Sequence, residues 1–295
     1  MRTRFAPAPT GYLHLGHVAN AMYVWGEARA RSAQVVLRIE DHDRQRCRPE
    51  YERALLDDLD WLGFVPDLDS TDTFRSGPSP LRQRDNGDVY QRFTEVLVER
   101  GYRVYACDCS RKGLSTETGD VPDRESPYPG RCRHRALQPG PGRGLRLVLD
   151  DNEERFDDLR MGWQTQIPAR QCGDLLLRDR SGNWTYQFAV VVDDLRHEID
   201  LVIRGADLLE STGRQILLAR MLGRRDPPWF LHHPLLRRAD GAKLSKASGD
   251  TSIEELRRSG LSPGALFGRV LCALGVRPHD RPIPLADALE VVTRA

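Results

Sequence analysis

Arg4-Phe5-Ala6-Pro7-Ala8-Pro9-Thr10-Gly11-Tyr12-Leu13-His14-Leu15-Gly16-His17 stands at the head of the chain, between two stretches of different periodicity. Thr3 to Ala6 reads as a short strand running into a Pro/Gly loop. From His17 onward Val18, Ala21, Met22, Trp25 and Ala28 recur at helical spacing. Gln34-Val35-Val36-Leu37-Arg38-Ile39-Glu40 is then an apolar, β-branched run of the kind buried in a parallel sheet. Strand, loop, helix and strand within about 40 residues make a βαβ unit, and so an α/β fold with a parallel sheet.

Outward from that unit, a helix carries Tyr51, Ala54, Leu55, Leu59 and Leu62 on one face and stops at Gly63. Another carries Val89, Phe93, Val96 and Leu97 and stops at Gly101. From about Tyr102 the texture changes. Residues 108–144 are rich in Gly, Pro, Arg and Ser and have no lasting period, so apolar packing alone would not order them. Leu145–Leu149 and Asp174–Arg178 read as short strands, Tyr186–Asp194 as a helix, Ile199–Arg204 as a buried strand and Leu208–Leu222 as a helix ended by Gly223. The parallel layout is thus interrupted by an insertion of roughly 80 residues and then resumed. Beyond Lys246 one clear helix is expected, from Pro263 to Leu274.

The 295 residues suffice for one sizeable core or a main domain with smaller appendages. A formal net charge of +1 gives no case for general nucleic-acid affinity, although a local basic face is possible. No apolar stretch approaches the ~20 residues of a membrane span, and the N-terminus lacks a signal segment. The expectation is a cytoplasmic enzyme with no membrane partner.

The opening segment suits a phosphate. Gly11 and Gly16 let backbone approach a ligand closely, while His14 and His17 sit at a helix N-terminus with its unpaired N–H groups and partial positive charge. Far downstream, the turn signal Asp240-Gly241 precedes Lys243-Leu244-Ser245-Lys246, whose two lysines are suited to neutralising a departing pyrophosphate. Alone, either segment is an ordinary surface feature. Together on an α/β chain they point to activation of a carboxylate by ATP. A third signal comes from the cysteines. Cys47, Cys172 and Cys272 stand alone as small packing residues, but Cys107, Cys109 and Cys132 cluster in the unpatterned segment. Three thiolates plus one further ligand suit a four-coordinate structural zinc that would staple that segment, and His134 is the ordinary chemical choice for the fourth position.

His-x-Gly-His with Lys-x-Ser-Lys resembles the signature pair of class I aminoacyl-tRNA synthetases. Arg4 to Gly11, Leu37 to Asp41, Tyr186 to Asp194 and Ile203 to Leu209 are similar to the glutamyl/glutaminyl branch. The likeness runs from residue 2 to about residue 247. It implies a Rossmann catalytic domain (1–101 and 185–235), an inserted zinc-binding acceptor-like α+β subdomain (102–184), and a lysine loop with a short helical segment (236–295). It also implies roles. His14, Gly16, His17, Lys243 and Lys246 would be catalytic, with His14, His17 and Lys246 on ATP. Glutamate would be held by Phe5, Ala6, Pro7 and Ala8 of the loop, by Arg4 on its side-chain carboxylate, by Glu40 on its α-amino group, and by Tyr186 and Arg204. Ala8 stands where the family commonly has serine, so a hydroxyl contact is expected to be missing. Cys107-x-Cys109 followed by Tyr128-x-x-x-Cys132 is similar to the zinc motif of one subfamily in which a tyrosine oxygen ligates, which favours Tyr128 over His134 as fourth ligand.

That subfamily lacks an anticodon-reading domain, and the 49 residues at 247–295 are expected to be too few for one. Its members activate L-glutamate with ATP and Mg²⁺ and esterify the cyclopentenediol of queuosine in the anticodon loop of tRNA(Asp). A monomer acting on L-glutamate, ATP and that tRNA is therefore expected. The alternatives are a short glutamyl-tRNA synthetase charging a tRNA 3′ end, a ligase passing the adenylate to a small amine, and an inactive synthetase-like binding protein.

Overall fold

The computed structural model describes residues 1–110, 127–236 and 251–294. The chain forms two compact units, the first of Met1–Asp85, Ile199–Leu209 and Pro228–Ala295, the second of Asn86–Glu198 and Glu210–Pro227. Among the described residues no helix is long and apolar enough to cross a membrane.

The first unit opens with the expected βαβ. Strand β1 (Arg2–Phe5), helix α1 (Leu15–Ala30) and strand β2 (Gln34–Leu37) follow in order, and β1 pairs in parallel with β2, Arg4 opposite Val36. The pairing continues past both strands, for Arg38 N–H donates to Phe5 O at 3.0 Å and Glu40 N–H to Pro7 O at 3.1 Å. The loop after β1 is thereby laid against the polar end of β2. Helix α2 (Pro49–Leu62) has proline in its first turn and stops at Gly63, whose φ of 79° is the left-handed C-cap expected of glycine. A short helix α3 (Thr71–Ser76) follows. Phe5, Trp25, Phe64 and Phe267 form a chain of tilted and edge-on ring contacts through this core.

In the second unit α4 (Gly87–Glu99) precedes an antiparallel sheet of β3 (Val104–Cys107), β4 (Gly144–Leu147) and, after the hairpin β5 (Glu154–Asp158) with β6 (Gly162–Gln166), β7 (Leu175–Arg178). Helix α5 (Pro168–Cys172) leads into β7, and α6 (Tyr186–Arg196) follows it. One apolar cluster joins α4, β4, β7 and α6, with Leu97, Leu147, Leu177 and Phe188 fully enclosed. Tyr90 donates to the buried Asp193 at 2.8 Å inside it.

The chain returns to the first unit in β8 (Leu201–Gly205) and, later, β9 (Trp229–His233), which pair in parallel with Arg204 opposite His232. β8 runs alongside β1, since Asp200 N–H donates to Arg2 O at 2.9 Å. Between β8 and β9 a single long helix is expected. Instead Ala206–Ser211 is a 3₁₀ turn and only Thr212–Met221 (α7) is α-helical. No residue of the 3₁₀ turn is buried, so no apolar face holds it to the α period. After residue 250 the structure has three helices where one is expected: α8 (Ile253–Arg258), α9 (Pro263–Ala273) and α10 (Leu285–Thr293). Helix α8 is too short to show a period, and its start is fixed by a Ser252/Glu255 capping box instead. Helix α10 buries Ala288, Leu289 and Val292.

Candidate active site

β1 and β8 each carry a buried cation one residue before their end. Arg4 and Arg204 are both 4% exposed, far below the usual exposure of arginine. Arg4 Nη1 donates to Ile203 O at 3.4 Å, so its stem crosses onto β8. Arg204 Nε donates to His232 Nε2 at 3.0 Å, its Nη2 to Leu208 O at 3.4 Å, and its guanidinium lies 5.5 Å from the Phe230 ring centre. Because His232 accepts through Nε2, its neutral ring carries the proton on Nδ1. His232 is fully buried on β9 and acts as an orienting group for Arg204.

Phe5 is core, packed 5.4 Å from Trp25. Ala6 and Ala8 are half-buried, Pro7 O accepts from Glu40, and Ala8 O accepts from Thr10 N–H at 2.8 Å. Glu40 is 6% exposed, and its Oε1 accepts from Arg38 Nη2 at 2.9 Å. Arg38 is completely buried and is not among the residues the sequence points to; it sits within an apolar run, which is the one signal for it. Arg38 takes a single Glu40 oxygen among the described residues, leaving Oε2 to accept from an ammonium group. The neighbouring Asp41 is buried as well, and desolvation pushes its carboxyl up to about 6 against the lowering effect of the Arg84 N–H and guanidinium.

His14 and His17 have a defined tautomer. His14 is the N-cap of α1, and its Nδ1 accepts from Gly16 N–H at 3.1 Å, while His17 Nδ1 accepts from His14 N–H at 3.1 Å. This is a capping box built from two imidazoles, their ring centres 4.0 Å apart. With both Nδ1 atoms accepting, each neutral ring carries its proton on Nε2 and presents a donor there, the polarity a phosphate oxygen requires. Gly16 is forced by this arrangement, because a Cβ there would stand 2.9 Å from His14 Cε1 and 3.1 Å from its Nδ1. Gly16→Ala is therefore expected to displace the His14 ring and cut ATP–pyrophosphate exchange about tenfold. Steady-state exchange measured beside the wild type checks this. Lys243 and Lys246 lie outside the described residues. Tyr186, half-buried, is the first residue of α6 in the second unit.

The second unit also gathers the thiols. The Sγ atoms of Cys107, Cys109 and Cys132 lie within 4.8 Å of one another, with Cys109 and Cys132 3.6 Å apart. The Tyr128 hydroxyl stands 3.4 Å from Cys107 Sγ and 3.7 Å from Cys109 Sγ. Around a tetrahedral ion with Zn–S of about 2.3 Å and Zn–O of about 2.0 Å, sulfur atoms stand about 3.8 Å apart and sulfur and oxygen about 3.5 Å. The donor set therefore suits zinc in its chemistry, and these three separations match the expected edge lengths. Tyr128 is held in place by Gly173. The two form a β-bridge, Tyr128 N–H donates to Cys172 O at 3.0 Å, and a Cβ on Gly173 (φ 64°) would overlap the Tyr128 backbone. Cys132 N–H donates to the Tyr128 hydroxyl at 2.9 Å, and the Arg146 guanidinium lies 3.6 Å over its ring. Burial pushes the Cys109 thiol up to about 11. At Cys107 burial is outweighed by hydrogen bonds from Tyr128, the Cys109 backbone and Arg146, which hold its thiol below the ordinary range. His134 is exposed.

Comparison with known proteins shows the family and the fold. The family described as "tRNA synthetases class I (E and Q), catalytic domain" matches residues 1–288. The chain is 37% identical to the glutamyl-Q tRNA(Asp) synthetase of Nitratidesulfovibrio vulgaris, over 100% of this chain and 93% of that one. It is 36% identical to glutamate–tRNA ligase 2 of Syntrophus aciditrophicus, over 92% of this chain but only 60% of the relative. The crystal structure of a glutamate tRNA ligase from Elizabethkingia meningosepticum, in complex with its amino acid, superposes with a TM-score of 0.77 at 29% identity, over 98% of this chain and 64% of that one. Measured against those two ligases, the chain spans less than two thirds of their length. By sequence and by fold, the chain belongs to the class I tRNA synthetases of the glutamate and glutamine branch.

Proposed function

We propose that the chain activates L-glutamate with Mg²⁺-ATP to glutamyl-adenylate and transfers the glutamyl group to the cyclopentenediol of queuosine in the anticodon loop of tRNA(Asp). The observation that carries the activation step is the concentration of Arg4, Arg204, Glu40 and the imidazole-capped start of α1 in one unit. An amino acid with two carboxylates and an ammonium group needs two cations and an acceptor. Arg4 forks onto the side-chain carboxylate, Glu40 Oε2 accepts from the α-amino group, and Arg204, oriented by His232, completes the pocket together with the Phe5–Ala8 backbone, with Tyr186 a further candidate for binding glutamate. The α-carboxylate attacks the α-phosphorus in line and pyrophosphate leaves. His14 and His17 donate Nε2–H to the phosphate oxygens as charge develops, and Lys243 and Lys246 neutralise the leaving group, so positioning and electrostatics supply the acceleration.

In this reading residues 102–184 are an inserted acceptor-like subdomain stapled by zinc on Cys107, Cys109, Cys132 and Tyr128. Bound there, the ion supplies structural cross-linking. The protein works as a cytoplasmic monomer. The queuosine acceptor is supported by the name of the N. vulgaris relative and by the phenol oxygen of Tyr128 at the thiols. A second reading, charging of a tRNA 3′ end, is favoured by the S. aciditrophicus relative's name. Labelled glutamate offered with tRNA(Asp) bearing or lacking queuosine, and with tRNA(Glu), separates them. Label only on the queuosine-bearing tRNA is expected; equal labelling, or label on tRNA(Glu) alone, overturns the first reading. ATP–pyrophosphate exchange that needs glutamate but no RNA tests the activation step by itself.

A further inference from the structure

Asp58 is an anomaly of the first unit. It lies on α2 with Leu55, Leu59 and Leu62, is 0% exposed, and neither carboxylate oxygen has a hydrogen-bond partner among the described residues. Among the described residues its compensating contact is Arg257 Nη1 of α8, 3.4 Å from Oδ1. Desolvation pushes the acid up to about 7, with Arg257 opposing and Glu254 and Asp57 adding to the rise. A carboxylate buried this way costs stability, and an apolar residue of similar volume would fold better. The contacts along α8 show what this buried acid can hold in place. Ile253, fully buried at the start of α8, donates its N–H to Leu13 O at 2.9 Å. Leu13 is also buried and immediately precedes His14, the N-cap whose ring holds the two-imidazole box. Helix α8 is, in addition, the first described element after Lys243 and Lys246 in the sequence.

We propose that Asp58 and Arg257 are a positioning pair for nucleotide chemistry: they fix α8 against α2, and α8 fixes the Leu13–His14 turn through the Ile253 N–H. The pair touches no substrate. Its effect belongs to the ATP side, because Arg4 and Arg204 stand on β1 and β8 and Glu40 just beyond β2, whereas the α8 backbone bond goes to Leu13. The inference rests on the proposed glutamate-activating reaction.

The test is Asp58→Leu, assayed for thermal midpoint and for ATP–pyrophosphate exchange. Loss of the buried charge is expected to raise the midpoint by about 2–4 °C. Exchange turnover should nevertheless fall about tenfold or more, with KM for ATP raised and KM for glutamate within about twofold. Arg257→Lys, which keeps the charge, should stay within about threefold of wild type. Ile253→Pro against Ile253→Ala isolates the backbone link. Both shorten the side chain, but only proline removes the N–H, at a helix position where proline is tolerated. Ile253→Pro should therefore lose exchange well beyond Ile253→Ala. Wild-type exchange per folded molecule in Asp58→Leu, equal shifts in both KM values, or identical Ile253 variants would each overturn the inference. A wild-type protein with no glutamate-dependent exchange would instead overturn the proposed function.

Discussion

Arg4→Ala is expected to lower kcat/KM for glutamate in ATP–pyrophosphate exchange by about thirtyfold or more, with KM for ATP little changed. Arg4 is buried on β1 and leans across to Ile203 O, so its guanidinium is fixed in orientation before any ligand arrives. A fork held in advance loses little rotamer freedom when it meets a carboxylate, and its two parallel donors match the carboxylate's geometry. Truncating one partner of a desolvated charge pair costs roughly 2–5 kcal/mol, most of it the cost of leaving the other charge unmatched. At about 1.4 kcal/mol per factor of ten, that corresponds to roughly thirtyfold to several thousandfold. Arg4→Lys restores the charge without the fork and should recover only part of the loss. The substitution must be read beside a circular-dichroism spectrum, because β1 is central to the first unit. Unchanged glutamate dependence in a folded Arg4→Ala protein would remove Arg4 from the pocket.

Those parts of the molecule where one local rule dominates are legible from sequence, and the missed parts are those where two rules compete. The Gln34–Glu40 run predicts a buried parallel strand because Val35, Val36, Leu37 and Ile39 give it an apolar, β-branched core, and β2 stands there. Yet Arg38 within that run escapes notice as a site residue, since a cation in an apolar strand reads as a break in the pattern. Its meaning appears only once Glu40 folds beside it. Trp229–His233 is missed altogether: two histidines obscure the apolar character of β9, although both are buried and His232 aims Arg204. Asp58 is hidden by the opposite effect. An acid among helical leucines looks like the solvent side of an amphipathic helix, and only the arrival of α8 converts that position into core. His14 and His17 are legible as a pair at a helix start, whereas their reciprocal capping, which sets both tautomers, depends on backbone positions no motif records.

Cys109→Ser is expected to reduce bound zinc from about one ion per chain to a small fraction of that, measured by elemental analysis after exhaustive dialysis. The local architecture explains why the effect should be large. Among the described residues, the apolar cluster around the thiols has Cys107, Tyr128 and Cys132 as its buried members, with Tyr105, Cys109 and Leu137 packed against them, and it is separate from the larger core of the second unit. In the proposed reading, metal ligation would add to these few contacts a free energy on the order of 10 kcal/mol, as in small structural sites. Serine keeps the shape but offers a hydroxyl that stays protonated near neutral pH, so one of three charged ligands is lost. The fourth ligand is decided by the same measurement on two more variants. Tyr128→Phe removes the oxygen that stands at ligand distance from two sulfurs while keeping the ring under Arg146, and should weaken zinc retention. His134→Ala should leave it unchanged, because His134 is exposed. Zinc lost from His134→Ala and retained in Tyr128→Phe would exchange the two residues' roles. Stoichiometric zinc in Cys109→Ser would move the site away from these thiols.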